Sequence, residues 1–350
     1  MSESSGGGRL LVVDLASTSR NWALKPDGEE TIRRAAPPGW RTYFVRAATV
    51  SDGDGSPTPS PEALGAIADA EAYFGFGISR PLFVAGTRLR WVHSATAGMG
   101  GLLFPEMVAS SVLLTNSAGV HGPPIAESVL AGVMHFLRGL DVAVDQQRQG
   151  LWRKSFFVAG DSPLREVADC RVLVIGAGGI GAEVATRFQA LGAACVGIRR
   201  RPERGIPAGF ARVSGPEALD AELPEADVVV VAAPMTRQTS GLLDARRLDL
   251  LPRHAVVVNV ARGALVDEAA LAERLASGRL RGAVLDVFSH EPLAPTSPLW
   301  RMRSALLTPH VSAVSPLRFW PRQLSLFVEN WTRYHRGETL RNLVDKEAGY

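Results

Sequence analysis

A chain of 350 residues, 46% hydrophobic and 21% charged, is long enough for two cores at about 100–200 residues each and too apolar to stay disordered. No apolar run approaches the roughly 18 residues of a membrane span, and the Ser- and Gly-rich start lacks the cationic and apolar segments of a secretion signal, so a cytoplasmic protein with no membrane partner is expected. The net charge of +3 comes from short scattered runs such as 199–204 and 301–303, which excludes a continuous nucleic-acid stripe, while two cysteines, Cys170 and Cys195, are too few for a disulfide framework and lack metal-ligand spacing.

In the first third, short apolar runs at 10–13, 42–45, 72–76, 89–93 and 112–115 read as strands, with helix-compatible stretches such as 61–70 between them. That alternation predicts parallel pairing. The Gly- and Pro-rich stretch 51–61 reads as a surface loop. From 125 to about 149, Ala126, Val129, Leu130, Val133, Met134 and Leu137 recur at helical spacing, predicting one long helix that links two domains. Beyond 171, nearly continuous apolar runs at 172–175, 194–198, 228–232, 255–260, 283–285 and 305–307 have the pattern of strands buried on both faces. Helical segments at 180–191, 244–248 and 267–276 separate several of them, giving a doubly wound parallel sheet of the Rossmann type. The segment 317–334 reads as a helix with Leu324, Phe327, Val328 and Trp331 on one face.

Gly176-Ala177-Gly178-Gly179-Ile180-Gly181 follows a β-branched strand and opens a helix. In that context the first glycine (Gly176) permits a tight turn, the second (Gly178) lets backbone amides approach a pyrophosphate, and the third (Gly181) allows close helix-to-strand packing. The second strand then ends in Arg199, Arg200 and Arg201 rather than the carboxylate that takes an NAD ribose hydroxyl. Guanidinium groups there pair with a 2′-phosphate, so NADP(H) is the expected cofactor, with NAD(H) as the alternative; a solvated arginine loop is the plainer explanation of the same residues.

Ligands of an open parallel sheet sit outside its strand carboxyl ends. Arg262 lies just past one strand in Asn259-Val260-Ala261-Arg262-Gly263, Asp286 ends the next, and His310 follows Thr308-Pro309, with Glu291 five residues past Asp286. Reducing a 2-oxo acid needs a cation for its oxygens and a proton donor, roles that fit Arg262 and His310. Glu291 is placed to orient the imidazole. His121, His135, His254 and His290 show no such set of partners in the sequence and read as structural or surface residues.

The order of these motifs, with Leu285-Asp286-Val287-Phe288, Glu291-Pro292 and Thr308-Pro309-His310, resembles the D-isomer-specific 2-hydroxyacid dehydrogenases over roughly 89–313. Upstream, Ser94-Ala95-Thr96-Ala97-Gly98-Met99-Gly100 is similar to that family's substrate-carboxylate loop, and Thr115-Asn116 with Ile125-Ala126-Glu127 to the entry of its interdomain helix. The resemblance implies a nucleotide domain (121–314) inserted into a flavodoxin-like α/β substrate domain, built from 9–120 and a returning helix within 315–345. It implies catalysis by Arg262, Glu291 and His310, with Asp286 holding the nicotinamide carboxamide. Pro234, Thr239, Val260 and Ala261 would border the cofactor beside Gly179 and Ile180, and Gly98, Met99 and Gly100 would bind substrate with Arg262. Gly100 stands where many members carry a polar residue, which implies altered substrate preference. A glyoxylate/hydroxypyruvate reductase-like activity and a homodimer follow by the same analogy; loop 75–79 and Trp152 or Trp320 are candidates for the side-chain pocket, with packing an equal explanation of Gly77 and Trp320. Two other readings share the scaffold: a formate- or phosphite-type dehydrogenase, and a non-catalytic NAD(P)-sensing binding protein.

Overall fold

The structure is a computed structural model describing residues 8–19, 22–48, 58–99, 101–347 and 349. It divides into two compact units, Met1–His121 with Ser315–Tyr350, and Gly122–Val314.

In the first unit, strands β1 (Arg9–Asp14), β2 (Trp40–Phe44), β3 (Ala72–Gly75), β4 (Trp91–Ser94) and β5 (Leu113–Thr115) form a parallel sheet in the order β2-β1-β3-β4-β5. That is the flavodoxin-like order expected. Successive side chains of a strand face opposite ways, and β1 shows it: Leu11 and Val13 enter one core while Val12 enters the other. The first core is closed by the helix Phe319–Arg336, whose Phe327 stacks on Phe74 at 4.0 Å and on Trp91 at 5.6 Å. The second is closed by helices Pro61–Ile67, Arg80–Ala85 and Pro105–Ala109 through Ile67, Leu82 and Met107. Of the expected 51–61 loop, 51–57 lie outside the described residues. Ser60 instead caps the next helix, its hydroxyl accepting from the Ala63 amide, with Pro61 opening the first turn.

The second unit holds seven parallel strands: β6 (Arg171–Ile175), β7 (Ala194–Ile198), β8 (Arg212–Ser214), β9 (Val228–Val231), β10 (Val256–Asn259), β11 (Gly282–Leu285) and β12 (Ala305–Leu307). Their order is β12-β11-β10-β9-β6-β7-β8, so the direction of winding reverses between β6 and β9. Val172, Val174, Val228 and Val230 meet helices Gly122–Leu137 and Gly179–Ala190 on one face. Leu173, Ile175, Val229 and Val231 join helices Ala245–Leu250 and Glu268–Ala276 in the core of the other. Burial on both faces is why these strands read as continuous apolar runs.

One expectation is corrected and one strand is added. The single helix of 125–149 is two helices, Gly122–Leu137 and Leu140–Arg148, broken at Gly139, whose φ of 68° lies in the left-handed region. Helical spacing continues through the break, so periodicity alone does not reveal it. The edge strand β8 was not foreseen because only Val213 in it is apolar. Cys170 and Cys195 are buried and free, and burial pushes both thiols up to about 11.

Candidate active site

Since all seven strands of the second unit run the same way, their carboxyl ends share one edge. Along it, from β12 through β11, β10, β9 and β6 to β7, follow His310, Asp286, Arg262, Pro234, Gly176 and Arg199. The edge thus collects the residues that the sequence assigned to cofactor and catalysis in this unit.

Each glycine of the turn has a separate physical reason. Gly176 has φ 107°, and a Cβ there would stand 2.5 Å from the backbone of Ala232 and Ala233 after β9. A Cβ on Gly181 would collide with the Gly176 carbonyl oxygen. Gly178, by contrast, faces open space and caps the 12-residue helix Gly179–Ala190, with Ile180 in its first turn. An open, Cβ-free helix N-terminus at a reversal of strand order fits the pyrophosphate of a dinucleotide. Arg199 continues β7 by donating its amide to the Ser214 carbonyl at 3.0 Å, and its Nη1 lies 3.4 Å from the Gly205 carbonyl. Arg200 is exposed and Arg201 starts the short turn Pro202–Arg204. Past β9, the Thr239 hydroxyl donates to the Pro234 carbonyl at 2.7 Å and accepts from the Thr236 amide at 2.8 Å, which fixes that loop.

The Arg262 turn is held by a residue the sequence reading did not single out. Asn259, fully buried, accepts from the Ala261 amide at 3.1 Å and donates to the Arg262 carbonyl at 3.0 Å, so the chain after Val260 folds back with the Arg262 side chain exposed. Its Nη1 donates to the Ala261 carbonyl at 2.7 Å. Any side chain at Gly263 would strike the backbone of Phe288, so the turns after β10 and β11 touch backbone to backbone.

His310 takes a left-handed backbone, φ 53°, rare for a residue with a side chain. Its amide donates to the Asp286 carbonyl at 2.8 Å, and its Nδ1 lies 2.8 Å from Glu291 Oε2, while Glu291 Oε1 accepts from the Phe288 amide at 3.0 Å. Because an ionised carboxylate only accepts, Nδ1 is the donor of that bond and Nε2 is left for a ligand. Both side chains are partly exposed.

Asp286 directly follows β11. It is 2% exposed, and its oxygens accept from the Thr308 hydroxyl at 2.6 Å, the Val311 amide at 2.9 Å, and the Ser312 amide and hydroxyl. These bonds tie the carboxylate to the loop carrying His310. His254, read as without partners, pairs through Nε2 with Asp227 at 2.7 Å. Both precede their strands, on the amino-terminal edge, so the structural reading of that histidine stands.

In the first unit, the loop after β4 carries Gly98 and Met99; Gly100 lies outside the described residues. Asn116 ties this loop to the chain after β5, its Nδ2 donating to the Ala97 carbonyl at 2.9 Å. Phe76, Phe319, Trp320 and Trp22 form an edge-to-face aromatic group in the same unit, with the Phe319 and Trp320 rings 5.0 Å apart. Trp152, in the second unit, is 89% exposed.

Residues 130–312 match the family model of the D-isomer specific 2-hydroxyacid dehydrogenase NAD binding domain. The glyoxylate/hydroxypyruvate reductase A of Salmonella newport (strain SL254) is 35% identical over 279 residues, 76% of this chain and 84% of that protein. The D-isomer specific 2-hydroxyacid dehydrogenase of Xanthobacter autotrophicus Py2, solved with NADPH and MES, superposes with a TM-score of 0.76 at 31% identity, covering 98% of this chain and 100% of that one. An NADPH-dependent glyoxylate/hydroxypyruvate reductase from Sinorhizobium meliloti, solved with NADP and sulfate, gives a TM-score of 0.74 at 26% identity, covering 98% and 100%.

Proposed function

The chain belongs to the D-isomer specific 2-hydroxyacid dehydrogenase family, and on that premise we propose that it reduces small 2-oxo acids of the glyoxylate and hydroxypyruvate class to 2-hydroxy acids, with NADPH preferred over NADH. It is an NAD(P)-dependent oxidoreductase. The observation that carries the catalytic reading is the 2.8 Å bond between Glu291 and His310 Nδ1, at the sheet edge that also carries the dinucleotide turn.

A nicotinamide bound there supplies the hydride. Around it the protein has three tasks. The Arg262 guanidinium pairs with the oxygens of the 2-oxo acid and draws charge toward the carbonyl oxygen. His310 gives the proton on Nε2 to that oxygen as it becomes a hydroxyl, and takes it back in the oxidation direction. Glu291 keeps the ring in one orientation and offsets the positive charge on the imidazolium. Substrate plus hydride plus one proton gives the hydroxy acid, so no further reactant is needed. The amides of Gly98 and Met99 are assigned to the substrate carboxylate.

NADPH preference is supported by Arg199 to Arg201 at the end of β7, where a carboxylate would repel a 2′-phosphate, and by the NADPH and NADP held by the two relatives above. A homodimer is supported by the exposed apolar side chains of Leu140, Val144, Trp152 and Val158 on and after the helix Leu140–Arg148. Light scattering giving a dimer mass agrees with it, and a monomer mass contradicts it. Two buried free thiols suit a reducing cytoplasm, a location that cell fractionation tests. The activity itself is tested by turnover of glyoxylate, hydroxypyruvate, pyruvate and bulkier 2-oxo acids with each cofactor, and of formate and phosphite. Highest kcat/KM for a small 2-oxo acid with NADPH is expected; turnover confined to formate or phosphite, or none at all, contradicts the proposal.

A further inference from the structure

In the first unit, four successive carbonyls after β4 are each held by a donor from the same unit. Thr96 O accepts from the Ser117 amide at 3.0 Å, Ala97 O from Asn116 Nδ2 at 2.9 Å, Gly98 O from Thr96 Oγ1 at 3.2 Å, and Met99 O from the Leu102 amide at 3.0 Å. Among the described residues, none accepts a hydrogen bond from the amides of Ala97, Gly98 or Met99. In a trans peptide the C=O and the following N–H point in opposite directions. A donor that pins the Ala97 carbonyl therefore turns the Gly98 amide away from itself, and a donor on the Gly98 carbonyl does the same for the Met99 amide. Successive backbone amides left free in this way are the material of an anion site.

The two side-chain donors are themselves fixed. Asn116, nearly fully buried, accepts from the Ala118 amide at 3.1 Å through Oδ1, which commits Nδ2 to Ala97. Its backbone is strapped by Asn342, whose carbonyl accepts from the Asn116 amide and whose Nδ2 donates to the carbonyls of Asn116 and Ala118. The Thr96 hydroxyl lies 2.8 Å from Ser94 Oγ. Since the threonine proton goes to Gly98, Ser94 is the donor of that bond.

We propose that Asn116 and Thr96 are positioning residues for substrate binding: each holds one peptide plane of the 96–99 loop, Asn116 aiming the Gly98 amide and Thr96 the Met99 amide at the carboxylate of the 2-oxo acid. The proposal rests on the reading that this loop takes that carboxylate. It explains why the donors are neutral. An aspartate at 116 has no proton to give the Ala97 carbonyl and adds a negative charge beside a bound anion, and a valine at 96 keeps the shape of threonine without its hydroxyl.

The test compares Asn116→Asp, Thr96→Val and Thr96→Ser with the unaltered protein. It reads kcat, KM for glyoxylate and for NADPH, and the rise in melting temperature that oxalate gives the NADP-loaded protein. Loss of binding common to ground and transition states raises KM at constant kcat. Asn116→Asp and Thr96→Val are expected to raise the glyoxylate KM about tenfold or more, with kcat and the NADPH KM within about threefold, and Thr96→Ser to stay near the unaltered value. The oxalate-induced shift should shrink in the first two and persist in Thr96→Ser. Unchanged KM and oxalate shift in Thr96→Val, or an equal loss in Thr96→Ser, overturns the proposal. If Asn116→Asp does not fold, the Thr96 pair decides alone. Failure of the unaltered protein to reduce any 2-oxo acid counts against the proposed function instead, and the oxalate shift then still reads the loop.

Discussion

His310 and Glu291 are 19 residues apart in sequence, yet three local constraints bring them to hydrogen-bond distance. The left-handed backbone of His310, the Asp286 carboxylate that gathers Thr308, Val311 and Ser312 around it, and the Phe288 amide that fixes the other oxygen of Glu291 each remove one freedom. Glu291→Gln keeps the volume and removes the charge that offsets the imidazolium, so kcat for reduction should fall on the order of a hundredfold with little change in the NADPH KM. An unaltered kcat would remove Glu291 from the mechanism. At the other end of the sheet edge, Arg199→Asp places a carboxylate against a 2′-phosphate. The ratio of kcat/KM for NADPH over NADH should drop by about a hundredfold or more, and a constant ratio would mean that Arg199 does not read the phosphate. The positions of these residues were legible in the sequence because the ligand edge of a parallel sheet lies at its strand ends, and strand ends are marked by the apolar runs. Asn259, Thr308 and Ser312 were not, since their importance lies in bonds to backbone and carboxyl groups that only folding brings near.

At the scale of elements, nearly every strand and the main helices were visible as apolar periodicity, and the two misses have different causes. Periodicity reports which face is buried and is silent on where backbone direction changes. Gly139 is such a place: its left-handed φ ends one helix and starts the next, and a Cβ there would meet Leu164, Phe156 and Phe157 at 2.9–3.1 Å. Gly150 has a similar φ of 65° with nothing within 4 Å. Gly139→Ala should therefore cost more than Gly150→Ala, which carries only the roughly 1–2 kcal/mol of a side chain in the left-handed region. Urea unfolding of the two variants measures the difference; equal losses would show that the aromatic contacts move aside freely. β8 illustrates the converse, an edge strand whose polar composition hides it while backbone pairing of Val196 with Arg212 and Ile198 with Ser214 keeps it in register.

Two α/β units are each closed by apolar layers on both sides of a parallel sheet, and among the titratable groups buried in such layers is a histidine of β4. His93 is fully buried on β4 among Phe74, Trp91 and Phe327, bonded through Nδ1 to the Thr115 hydroxyl at 2.8 Å, and burial pushes its pKa down to about 3. With the folded value below the unfolded one of about 6.5, the unfolded chain binds the extra proton. Stability from this group is complete above about pH 6.5 and falls as the pH drops toward 3, at up to about 1.4 kcal/mol per unit. Urea midpoints taken from pH 7 to 5 should decline in the unaltered protein and decline less in His93→Phe, whereas identical slopes would assign the acid sensitivity elsewhere. The two-unit plan was legible because the glycine turn, the second strand and the later strand ends came in an order that one known architecture explains. The bonds that Asp286 makes to Thr308, Val311 and Ser312 were not legible, because sequence analogy names a residue without showing which groups its oxygens meet.

The most direct test of the catalytic account is steady-state reduction of glyoxylate by NADPH in His310→Asn, alongside NADPH binding followed by nicotinamide fluorescence. Loss of the proton on Nε2 predicts a fall in kcat of about a thousandfold with the cofactor bound as tightly as before. Turnover near that of the unaltered protein would contradict proton transfer by His310.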